Sequence, residues 1–110
     1  MTGFDNLKKS KNSKNKFFNL NYLLEKGIKL DSKGFTSEAL KYYELCLKKG
    51  LKDSTLFCNY GIIKKNFGEF NEAENFFQKS LQLNPSNSSA FFYMGEIFHK
   101  KGGNLVWPQI

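Results

Sequence analysis

At 110 residues and a net charge of +7, the chain is at most one small domain, long enough for a modest core. Twelve Phe and five Tyr supply apolar area, while every one of the 17 basic residues is lysine, which argues against a sequence-reading DNA protein because arginine provides most bidentate base and phosphate recognition. Cys46 and Cys58 have neither a CxxC nor a metal-ligand spacing and read as buried thiols of a reducing compartment; with no secretory signal and no membrane span in view, a soluble cytoplasmic protein is expected.

In chain order, residues 1–16 carry five lysines and one aspartate with almost no apolar content. They cannot offset the entropy of ordering and are expected to form a flexible basic tail. Asn19 is the expected N-cap of a first helix, with Phe18 and Leu23 at the spacing of a hydrophobic staple. That helix runs to about Lys33 and stops at Gly34, a natural left-handed C′ position. A return helix begins at Ser37 and ends at Gly50. Residues 54–87 repeat the arrangement: Asp53 caps, Phe67-Gly68-Glu69 separates two amphipathic patterns, and Asn71 with Glu74 has the form of a capping box. Asn84-Pro85 closes the second pattern, and Asn87 caps a last helix over 88–101. After Gly102-Gly103 the segment 104–110 shows no helical period.

These elements recur at a shift of 34 residues. Gly27, Gly61 and Gly95 coincide, as do Gly34, Gly68 and Gly102; Ala39 matches Ala73, Tyr43 matches Phe77, and Leu47 matches Leu81. A period of this length is that of stacked helical hairpins. The small residues let the two helices of a hairpin approach closely, Tyr43 and Phe77 fill the space beside them, and Leu23, Phe57 and Phe91 complete the layer. The pattern W-x2-L-G-x2-Y, A-x3-F, P is met by Phe57, Tyr60, Gly61, Ala73, Phe77 and Pro85, with Lys64 in place of its aromatic. On these residues the chain resembles the tetratricopeptide repeat family. The resemblance implies an all-α, right-handed superhelix of antiparallel hairpins, about two and a half repeats long (20–53, 54–87 and a partial 88–103).

It also implies a concave face lined by the first helix of each hairpin. Here those positions are Asn21, Leu24, Ile28 and Asp31, then Thr55, Cys58, Ile62 and Lys65, then Ser89, Phe92, Glu96 and His99. Leu24, Ile28, Thr55, Cys58, Ile62, Lys65, Phe92 and Glu96 form the expected partner-binding groove, apolar at its centre. Such a groove suits an amphipathic helix or extended peptide. Family members that clamp a terminal carboxylate use converging Lys, Arg and Asn; this stripe has only Asn59 and Lys65 nearby, so that use is not expected. The last helix has no visible return partner and is expected to be covered by the tail Leu105–Ile110 or by self-association.

Enzymatic chemistry finds little support. His99 has no nucleophile or ligand spacing around it, and Glu69, Glu72 and Glu74 gather where a helix start favours negative charge. Cys58 has no base within a turn on its stripe, and Gly102-Gly103 ends a helix rather than cradling a phosphate. No catalytic residue, metal or cofactor is assigned. The expected function is binding of a protein or peptide partner in the groove. The alternatives are a truncated or separated adaptor region of a larger transferase-type enzyme, or a basic-tail nucleic-acid or membrane-surface binder.

Overall fold

The computed structural model describes residues 12–102, with side chains from Leu20 onward. The described residues form five α-helices and no strand: α1 (Asn12–Ser32), α2 (Thr36–Lys48), α3 (Ser54–Asn66), α4 (Phe70–Leu83) and α5 (Ser88–Lys100). They fall into two compact units divided between Leu51 and Lys52. The first holds the α1–α2 hairpin, the second the α3–α4 hairpin and α5. This is an all-α helical-hairpin repeat fold.

Both hairpins turn by the same device. Gly34 and Gly68 adopt φ of +90° and +85°, where a side chain would be strained. In the first turn the Gly34 N–H donates to Asp31 O at 3.0 Å and the Phe35 N–H to Leu30 O at 2.9 Å. In the second, Gly68 N–H donates to Lys65 O and Glu69 N–H to Lys64 O, both at 2.9 Å. These paired bonds satisfy carbonyls that a helix end leaves open. The chain then enters the return helix at once: Phe35 and Glu69 are the N-cap residues, and neither makes a side-chain cap bond. The expected starts at Ser37 and Asn71 are therefore late, and the expected capping box does not form. Asn71 and Glu74 instead face Lys101, whose Nζ lies 2.7 Å from Asn71 Oδ1 and 3.4 Å from Glu74 Oε1.

Capping by side chains operates at the other two starts, as expected. Asp53 Oδ1 accepts from the Leu56 N–H at 3.0 Å, and Asn87 Oδ1 from the Ala90 N–H at 3.1 Å. Between α4 and α5, Asn84 is extended ahead of Pro85, as the proline ring demands, and its Oδ1 accepts from the Ser86 N–H at 3.1 Å. Asn19 is a correction. Helix α1 begins at Asn12, so residue 19 lies inside it and is no cap, and residues 12–16 belong to the helix rather than to a basic tail. No Pro or Gly interrupts 12–19, and once a helix is nucleated each further residue adds a bond at little cost. Residues 1–11, the side chain of Phe18 and the segment 104–110 lie outside the described residues.

The 34-residue register reappears in the packing. In the first unit Leu20, Leu24, Ala39, Tyr43 and Cys46 are buried; in the second, Ala73, Phe77, Leu81, Ala90, Met94 and Ile97 form a core with Cys58. Gly27 lies against Tyr43 and Gly61 against Phe77: a Cβ at either would fall 2.9 Å and 2.8 Å from a ring carbon. Small residue and ring thus define one seam in both hairpins. Phe57 is buried as expected, but Phe91 is 38% exposed and stands at the edge of its layer rather than completing it.

Candidate partner-binding face

The second unit sets α3 beside α5, and their facing side chains meet. Lys65 Nζ lies 3.0 Å from Glu96 Oε1 and 5.0 Å from the centre of the Tyr93 ring. Tyr93 stacks on Phe77 with ring centres 6.1 Å apart and meets Phe92 edge-on at 5.0 Å. Ile62 and Tyr93 pack on the core as half-buried neighbours. Phe92 is 61% exposed, a large apolar side chain offered to solvent next to this half-buried patch.

Of the expected groove residues in this unit, Thr55 and Phe92 are exposed and Ile62, Lys65 and Glu96 half-buried. Cys58 is not offered to a partner: it is 3% exposed, within the core that contains Ala90 and Met94. In the first unit Leu24 is 6% exposed and likewise core, while Ile28 is half-buried. Spacing of i, i+3, i+7 fixes a helix face but not which neighbouring side chains close over it. Asp31 is engaged within its own hairpin, accepting from Tyr43 Oη at 3.0 Å.

The charged groups singled out in the sequence are tied into the fold. Lys64 Nζ lies 2.9 Å from Glu69 and 3.1 Å from Glu72, and 5.4 Å from the centre of the Tyr60 ring. The hydrogen bond to Glu69, then that to Glu72, raises its pKa above the ordinary lysine value. Glu74 faces Lys101, and His99 is exposed near the end of α5. Burial pushes the Cys58 thiol up from 9.0 to about 11, against a smaller opposing effect of its hydrogen bond with Asn87. At neutral pH it is a protonated thiol, the wrong state for a nucleophile. Among the described residues no cluster of His, Cys, Asp or Glu could hold a metal ion, and no helix is long and apolar enough to cross a membrane.

Sequence reasoning missed a buried polar network at the base of the second unit. Ser54 Oγ donates to Ser80 O at 3.0 Å, and Ser80 Oγ donates back to Ser54 O at 2.8 Å. Asn87 Nδ2 then donates to both hydroxyls, at 3.2 and 3.1 Å. One side chain thus caps α5 through its oxygen and ties α3 to α4 through its nitrogen. The available signal was Ser80 itself, a polar residue on the apolar stripe of α4 beside Phe77 and Leu81.

The family model described as Tetratricopeptide repeat matches residues 54–87, the span of α3, α4 and the turn that follows. The chain is a tetratricopeptide repeat protein. Two curated relatives, each named Photosystem I assembly protein Ycf3, from Prochlorococcus marinus strains NATL1A and NATL2A, are 37% identical to it over 82 residues. The match covers 70% of this chain and 46% of each relative, so this tetratricopeptide repeat protein spans about half the length of the curated relatives it matches. The repeat frame also explains the buried network. Cys46 and Leu20 stand 34 residues before Ser80 and Ser54, and Cys46 Sγ faces Leu20 O at 3.7 Å. The same cross-helix bond is made by sulfur in one hairpin and by oxygen in the next.

Proposed function

We propose that this tetratricopeptide repeat protein is a non-catalytic adaptor that holds a segment of a partner protein, a peptide or an amphipathic helix, against the α3–α5 face. The observation that carries the reading is Phe92, exposed and edge-on to half-buried Tyr93, with the Lys65–Glu96 pair along the same face. An exposed aromatic next to a rigid apolar patch costs little ordering on binding and buries well. Because Lys65 is already neutralised by Glu96 and lies over Tyr93, the face suits an apolar segment rather than an acidic one. The name of the Prochlorococcus relatives, a photosystem I assembly protein, supports an assembly role of this general kind. Thr55 and Glu96 of the second unit are assigned to this partner's path.

The test is co-purification from the native cell with intact protein, Phe92→Asp, Ile62→Asp and a chain lacking residues 1–11. Capture is expected to be lost in both Asp variants and kept in the truncated chain. Capture that survives Phe92→Asp in a folded variant, as judged by circular dichroism, overturns the assignment of this face. Loss on truncation, with affinity falling steeply as salt rises, would move the function to the basic N-terminus and a polyanionic partner.

A further inference from the structure

We draw no further inference here: the strongest candidate, the exposed aromatic patch of Phe91 and Phe92 on α5, belongs in part to the face already described, and nothing in the structure shows what covers the rest.

Discussion

Replacing Gly61 by alanine sets two effects of known size against each other. In an exposed helix the change would stabilise by about 0.5–1 kcal/mol, because glycine loses more backbone freedom on folding. Here the new Cβ would lie 2.8 Å from Phe77 Cε1, 3.0 Å from Cδ1 and 3.2 Å from Cζ. Phe77 is fully buried and stacked on Tyr93, so its ring has no solvent side to swing into. Overpacking of this kind costs about 1–3 kcal/mol. The larger effect wins, and Gly61→Ala is expected to destabilise the chain by about 1 kcal/mol, lowering the melting temperature by roughly 4–8 °C. Urea and thermal unfolding followed by circular dichroism measure it. In a Phe77→Leu background the ring is gone and the alanine should be neutral or favourable, so the two changes should couple in a double-mutant cycle. A Gly61→Ala chain more stable than the parent by the full helix-propensity gain would refute the close-packed seam, and with it the reason for the repeated glycine.

Ser80→Ala removes one hydroxyl but leaves the Ser54 carbonyl and the Asn87 amide short of a partner, so a loss of about 1–3 kcal/mol is expected in urea unfolding. Ser80→Cys should cost less, since Cys46 makes the equivalent bond in the first hairpin; equal losses for the two variants would show that a thiol does not replace the hydroxyl at this position. Both cysteines are buried, so alkylation by iodoacetamide at neutral pH should be far slower in the native chain than in urea; equal labelling rates would contradict the packing of Cys46 and Cys58. On the alkaline side the unfolded chain releases the Cys58 proton near 9.0 while the native chain holds it to about 11. The native state therefore binds more protons in that window, and stability present below pH 9 is lost as pH rises through it. Cys58→Ala should flatten that part of the stability profile, and an unchanged slope would exclude the thiol as its source. Lys65 and Glu96 are partly shielded, and a double-mutant cycle on the pair should return about 0.2–1 kcal/mol, smaller at high salt.

What could be read from the sequence was the part of the fold that depends on residue type. Gly27 and Gly61 had to be glycine because a ring occupies the space of their Cβ, so the same letters recur at the same interval. Asp53 and Asn87 were legible as caps because only short polar side chains reach back to the open N–H groups of a helix start. The expected starts at Ser37 and Asn71 failed because the glycine turn brings the chain into the return helix within two residues, at Thr36 and Phe70, so the polar residues fall inside the helix rather than at its cap. At the candidate face, the helical stripe put Lys65 and Glu96 on one expected face without pairing them, and it could not say that Leu24 and Cys58 point into packed neighbours, because burial is a property of two elements and the stripe describes one.

The buried network marks the deeper limit of pattern reading in this repeat. In the α1–α2 hairpin the cross-helix donor is a thiol, Cys46, and in the α3–α4 hairpin it is a hydroxyl, Ser80; the acceptors are the backbone carbonyls of Leu20 and Ser54. A carbonyl belongs to every residue, so the acceptor leaves no trace in the side-chain sequence. The donor needs only to be small, polar and correctly placed, so cysteine and serine both serve. Repetition here resides in the geometry of the two helices, held by the glycine seam, and the letters are free to differ wherever the geometry can be met by more than one atom.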